Sequence, residues 1–415
     1  MARWHWRKVV HALLLTGLLL SAAAGAPPSG CLPVAAQDGI DVVTSRASHQ
    51  FADQITFSLD ATSPAEITQV HLYYWEDVRE QQTQTVGLPT EPSTEIHVEF
   101  SHDLRQFPFM PFATVAFQWR IEDASGSVRT TDPQRYQCTD NRVEWEIYGG
   151  GAVNVHCVAG HCDPVFGQAA VDVAQASMAD ISADLQVDQP NSVDIYVYDS
   201  QNTLDGAMSY AGREWVRGQA HPELGVILVA ISPELGYESR MKRDIPHEIT
   251  HLVVYQAVTP AGYDNVPEWL DEGLATSSEQ ANPDHQVILT DAAERGGLFP
   301  LESLCTPFSP EARDASLSYA QSASIVSFIR QQYGADGIRR LLDAYENGAS
   351  CSSGVKDALG ITLPELEALW LQSLPGEPEA PAVPASLGRV MMFIGAWLLS
   401  LIVVLPMLGG LRRRR

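Results

Sequence analysis

Short runs in which apolar and polar residues alternate fill the chain from about residue 39 to 137: QITFSLDA, QVHLYYWED, TEIHVEF and TVAFQWRIED. A period of two puts one side of an extended segment in a core and the other in water, and the β-branched and aromatic content suits strands. Clusters of Pro, Gly, Ser and Asp separate the runs, as in DASGS at 123–127. Strands at this spacing predict an all-β sandwich, immunoglobulin-like or fibronectin-like, over residues 37–140. Nothing in it converges on a reactive site.

The period changes at Asn141. VEWEIYGGGAVNVHCV predicts strands around a glycine turn; the three glycines lack both the GxGxxG spacing and the following helix of a phosphate-binding loop. FGQAAVDVAQASMADISADL at 166–185 has helical periodicity, whereas SVDIYVYDS and GVILVAIS are continuous apolar runs that read as buried strands. Beyond Ile245 the pattern is mostly helical, through VPEWLDEGLATSSEQ, SYAQSASIVSFIRQQYG, GIRRLLDAYENG and TLPELEALWLQSL. Strands followed by helices predict an α+β domain over 141–375. No repeat of solenoid period is present.

The two ends have patterns of their own. Residues 1–36 combine a basic start (Arg3, Arg7, Lys8), an apolar stretch and small residues, the pattern of a secretory signal cleaved after Ala26 or Ala36. PGEPEAPAVP opens a proline-rich linker over 376–388. Residues 390–408 carry no charge and suffice to cross a hydrocarbon core of roughly 30 Å, which predicts a transmembrane helix over 389–411. The four arginines of 412–415 form a basic tail on the cytoplasmic side. The expected placement is therefore a single-pass protein of the cell membrane with its body extracytoplasmic.

Composition narrows the partners. Eight of the 26 basic residues and none of the 51 acidic ones lie in 1–36 or 389–415, so residues 37–388 carry a formal charge of −33. Such a body repels nucleic acid and anionic lipid. Cys31, Cys138, Cys157, Cys162, Cys305 and Cys351 lie in a chain expected in an oxidising compartment, where pairing is the default. The expected pairs are Cys157 with Cys162 and Cys305 with Cys351, leaving Cys138 for Cys31. His156, Cys157, His161 and Cys162 offer the alternative of a small metal site.

One short stretch carries chemistry: RDIPHEITHLVVYQ at 243–256. Residues four apart share a helix face, so His247 and His251 can direct their imidazoles at one point, as tetrahedral zinc requires. Glu248 is placed to accept a proton from water beside that metal. Pro246 is expected in the first helical turn, with Asp244 able to cap it.

HEITH followed by WLDEGLA at 269–275 resembles the gluzincin zinc metallopeptidases, and more closely the peptidase MA-like group. The resemblance covers about residues 143–374 and implies a thermolysin-like α+β fold with Zn2+ as cofactor. It implies Glu272 as third zinc ligand; Glu268, one turn earlier on the same face, is the runner-up, and Asp271 is placed either to orient a histidine or to serve as a cap or solvated residue. Gly273 would let helices approach closely. The 20 residues between His251 and Glu272 exceed the family spacing by the length of a small insertion at TPAGYDN. The resemblance further implies Tyr319 as the group that stabilises an oxyanion, with His285 as substitute, and GVILVAIS as the strand at the cleft edge. The chain lacks a GxMEN-like run for binding a free amino terminus.

These readings together predict a membrane-anchored extracytoplasmic zinc metallopeptidase acting on peptide or protein substrates. Signal, sandwich, linker and anchor suit equally a surface binding or adhesion protein with a degenerate metal domain, and HExxH alone does not exclude a zinc hydrolase of a non-peptide bond.

Overall fold

The computed structural model describes residues 39–208, 218–280 and 283–374. The alternating runs form one hydrogen-bonded set of strands: β1 (Asp41–Gln50), β2 (Gln54–Glu76), β3 (Gln84–Leu88), β4 (Ser93–Asp103), β5 (Thr114–Asp123), β6 (Val128–Thr130) and β7 (Gln134–Gln137). QITFSLDA and QVHLYYWED, read as separate strands, are continuous in β2. Its first half pairs antiparallel with β1 and β4, and its second half with β3 and β5. The register shifts between Thr62 and Ile67, and there Ser63 donates a hydrogen bond to the buried Asp123 carboxylate, holding the intended turn extended. Alternate residues of both halves, including Phe57, Leu59, Leu72 and Tyr74, join Val98, Phe117 and Trp119 in one core.

The second sheet holds β8 (Trp145–Gly150), β9 (Val153–Val158), β10 (Val193–Tyr198), β11 (Gly218–His221) and β12 (Val226–Ala230) in the order β11-β12-β10-β9-β8. β9, β10 and β12 are parallel, and the two outer strands run antiparallel to them. Helix α1 (Pro164–Leu185) crosses from β9 to β10; the Asp163 carboxylate caps it by accepting from the Phe166 N–H at 2.8 Å. On one face Val155, Ile195, Val197, Ile227 and Val229 pack in the core shared with α1 and α3 (Tyr237–Tyr263). On the other Tyr196, Tyr198 and Leu228 meet α2 (Gln201–Met208) and Phe51 and Phe112 from the first set of strands. Strands covered on both faces show no alternation, which is why these runs are apolar throughout.

The remaining helices are α4 (Glu268–Ser278), α5 (Pro283–Glu294), α6 (Ala312–Glu346), α7 (Cys351–Leu359) and α8 (Leu363–Ser373). α6 bends at Gly334, where φ is +69°, so that the two helical patterns flanking this residue run on as one element. Ser350 and Thr362 start α7 and α8 as reciprocal caps. Disulfides join Cys157 to Cys162 and Cys305 to Cys351, as expected. Their formation occupies the thiols that the alternative His/Cys metal site would need. Cys138 is buried, and its expected partner Cys31 lies outside the described residues.

Two linked expectations are corrected. Among the described residues the fold class is a β-rich N-terminal region followed by an α+β domain, with no transmembrane helix. Among the described residues no helix is long and apolar enough to cross a membrane, so none of them supports the expected single-pass placement in a cell membrane. The long helices pair an apolar stripe with charge: α3 carries Glu238, Arg240, Lys242, Arg243 and Asp244, and α6 carries Arg330, Asp336, Arg339, Arg340 and Asp343. The signal, linker, span and tail of the sequence reading, at 1–36 and 376–415, lie outside the described residues.

Candidate metal centre

The helix carrying His247 begins earlier than its proline suggests. α3 starts at Tyr237, and Met241 and Ile245 bury its first turns in the core, so Pro246 is interior and Asp244 is no cap. Asp244 is buried beside Arg243, with Nε to Oδ1 at 2.6 Å. An interior proline leaves the carbonyl four residues back without its helical donor. Here that carbonyl, on Lys242, accepts from the backbone N–H of Gln280 at 3.0 Å. The proline thereby ties the metal helix to the chain just beyond α4.

His247 and His251 lie one turn apart with ring centroids 5.2 Å from each other. Each Nδ1 faces a carboxylate: His247 meets Glu279 at 3.0 Å and His251 meets Asp271 at 3.1 Å. An ionised carboxylate only accepts, so both Nδ1 atoms carry a proton, and in the neutral rings that a metal would bind both Nε2 atoms keep a lone pair. Both Nε2 atoms lie near one oxygen. Glu272 Oε2, from α4, is 3.3 Å from His247 Nε2 and 3.7 Å from His251 Nε2. This oxygen is buried and has no hydrogen-bond partner. His247, His251 and Glu272 are the group of side chains, among the described residues, whose ligand atoms converge within 4.8 Å.

Three electron-rich atoms facing one another need a cation between them. Ligands about 2.0 to 2.1 Å from a tetrahedral zinc are separated by about 3.3 Å, close to the spacing seen here. The donor set, two imidazoles and a carboxylate, is that of a catalytic zinc site with one open position. The titration behaviour agrees: burial lowers the pKa of both imidazoles, but Glu272 and Glu279 lift His247 well above the ordinary histidine value and Asp271 lifts His251 to about 9. The site therefore attracts positive charge, whether as protons or as a metal.

Glu248 is buried beside this group. Burial pushes its carboxyl up to about 7, against the pull of the two histidines. A dication alongside would lower it again. Gly218, at the start of β11, makes room for it: a Cβ there would lie 2.5 Å from Glu248 Oε1. Gly273 serves a different contact from the one its position suggests. A Cβ on it would come within 2.7 Å of the Ser322 carbonyl oxygen, so it lets α4 press on α6 rather than on α3.

A cleft of about 410 Å³ opens over these groups, walled by Gly218, Gln219, Ala220, Tyr263, Glu268 and Tyr319 among others. The strand at its edge is β11, not the GVILVAIS strand; β12 is paired on both sides. β11 escapes sequence reading because GQAH has no β-branched residue. Tyr319, on α6, is half-buried, with its ring centroid 6.2 Å from that of His247. Glu268 lines the wall but is not in the converging group. His285, on α5, is partly buried, with its pKa lowered by burial, and Glu279 and His247 also act on it. Asp271 accepts from His251, the first of the roles its position offered. Glu279 and Tyr263 carry no motif signal; a clue to Glu279 is an acid one helix length beyond Glu268 in SSEQ.

Residues 173–376 match the family description "Peptidase MA superfamily". The metal-helix domain is similar to that superfamily. The match agrees with the resemblance carried by HEITH and WLDEGLA and supports a metallopeptidase. No curated protein sequence matches the chain significantly. Among solved structures, the M1 zinc metallopeptidase from Deinococcus radiodurans is 14% identical, covering 83% of this chain and 97% of its own, with a TM-score of 0.38. OgpA from Akkermansia muciniphila is 11% identical over 25% of this chain, with a TM-score of 0.20, and the match spans 29% of the OgpA chain. The third fibronectin III domain of human KIAA0343 protein is 12% identical over 28% of this chain, with a TM-score of 0.18. The assignment rests on the family match and the site, not on these superpositions.

Proposed function

We propose that the chain is a zinc-dependent metallopeptidase that hydrolyses peptide bonds in the cleft between β11 and α4. His247, His251 and Glu272 would hold the zinc, and the observation that carries this reading is the convergence of two Nε2 atoms on a buried, unpartnered Glu272 oxygen. When bound, the metal supplies Lewis-acid activation of water and of the scissile carbonyl. Glu248, buried at the cleft floor, takes the proton released as water attacks and returns it to the departing nitrogen. Tyr319 offers a hydroxyl on the cleft wall for the oxyanion that develops on the former carbonyl. Glu279 and Asp271 fix the tautomers and ring planes of the two histidines. β11, the edge strand of its sheet among the described residues, presents main-chain groups to an extended peptide, which favours unfolded or extended substrates.

Comparing wild type with Glu248→Gln at equal zinc content tests the reading, with hydrolysis of an unfolded protein as the readout. The variant should retain metal and lose activity by about 10²- to 10⁴-fold. Equal activity in both would remove Glu248 from the chemistry; no activity in either zinc-loaded form would speak against peptide hydrolysis.

A further inference from the structure

The Asp271 carboxylate is held at one end only. Its Oδ1 is buried without a hydrogen-bond partner, while Oδ2 accepts from His251 Nδ1 at 3.1 Å and from the Tyr263 hydroxyl at 2.8 Å. A buried carboxylate with a single anchored oxygen can swing, and the imidazole it holds would swing with it. Tyr263 is the second of two anchors.

The delivery of Tyr263 is built into the backbone. The α-helical geometry of α3 breaks at Thr259, where φ is +60° and ψ 159°, a conformation that β-branched residues rarely adopt. Arg339 of α6 donates to the Ala257 carbonyl at 3.1 Å just before the break. Gly262 then passes so close to α6 that a Cβ would lie 2.7 Å from Glu346 Cα. These contacts turn the chain and bring the Tyr263 ring back over α4, against Tyr255 at 5.3 Å. Strain of this kind persists where surrounding contacts over-determine it, and here it falls within the small insertion between HEITH and WLDEGLA.

We propose that Tyr263 is a positioning residue for the metal site, donating its hydroxyl to Asp271 so that Asp271 holds the His251 imidazole in one plane. The role rests on the reading of His251 as a zinc ligand. Although Tyr263 also lines the cleft, its proton is committed to a carboxylate that can only accept. It acts on the reaction through Asp271 and His251, not on the substrate.

The test measures zinc affinity of the full chain by competition with a chromogenic chelator, for wild type, Tyr263→Phe, Asp271→Asn and the double variant. Tyr263→Phe keeps the ring against Tyr255, and thermal unfolding of the zinc-free forms checks that each variant folds. Loss of a group that orients a ligand weakens metal binding about 10- to 100-fold, which is the expectation for Asp271→Asn, with about 3- to 10-fold for Tyr263→Phe. The double variant should bind zinc no more weakly than Asp271→Asn, because Tyr263 acts through that carboxylate. Wild-type zinc affinity in Tyr263→Phe overturns the proposal, as does a double variant in which the two losses multiply. A wild-type chain that takes up no zinc contradicts the metal-site reading itself, and the proposal with it.

Discussion

An imidazole whose Nδ1 proton is held by a carboxylate has only Nε2 left to offer, and in this protein that constraint applies to both His247 and His251. His221 shows the opposite treatment. Buried on β11 with its Nε2 unpartnered, it has a pKa lowered by burial to about 4. Because the folded pKa lies below the unfolded value, acid protonates the unfolded chain first. The stability tied to a neutral His221 is therefore intact above about pH 6.5 and is lost as the pH falls toward 4. The expected loss between pH 7.5 and 4.5 is about 2–3 kcal/mol. Denaturant unfolding of wild type and His221→Leu at both pH values checks it: the variant should lose less on acidification by that amount, and an equal loss would show that His221 does not sense acid. At this scale the sequence was most informative where one helix turn sets the geometry, as for His247, Glu248 and His251. Glu279 and Tyr263 went unnoticed because tertiary packing alone brings them to the histidines.

The elements that matter most are α3 and α4, which carry the converging side chains, and α6, which sets where α4 sits. Gly273 is the contact point between α4 and α6, where an added Cβ would lie 2.7 Å from the Ser322 carbonyl oxygen and 2.8 Å from Val326 Cγ2. Gly273→Ala should therefore push α4 off α6, destabilise the chain by about 1–3 kcal/mol and weaken zinc binding, since Glu272 is the preceding residue. Thermal unfolding and zinc affinity measured on the same variant check this, and an unchanged melting temperature would contradict the α4–α6 packing. Helix periodicity made α1, α4, α6 and α8 legible from the apolar stripes of their sequences. The start of α3 was not, because Pro246 reads locally as a boundary and only the Gln280 N–H, remote in sequence, makes an interior proline tolerable. β11 was missed for a related reason. Its four residues are held by pairing with β12 and by the need for a glycine beside Glu248, neither of which leaves a β pattern.

At the scale of the molecule, the alternating N-terminal pattern and the later shift to helix were readable because burial on one face or on both leaves different periods. The long β2 was not, since the SPAE segment between its halves has turn composition and stays extended through the Ser63–Asp123 contact. The expectation of a transmembrane helix finds no counterpart among the described helices, which pair apolar stripes with regular charge. The two sheets meet through the aromatic cluster around Phe112, Tyr196 and Tyr198, on the face away from α3. That leaves the other face of the second sheet to support α3 and the cleft. The central claim is that His247, His251 and Glu272 together hold one zinc. Elemental analysis of the dialysed full chain measures it directly, in wild type, Glu272→Gln and Glu268→Gln. About one zinc per chain in wild type and Glu268→Gln, with loss in Glu272→Gln, is the predicted result. A metal-free wild type, or zinc retained by Glu272→Gln and lost from Glu268→Gln, would contradict the claim.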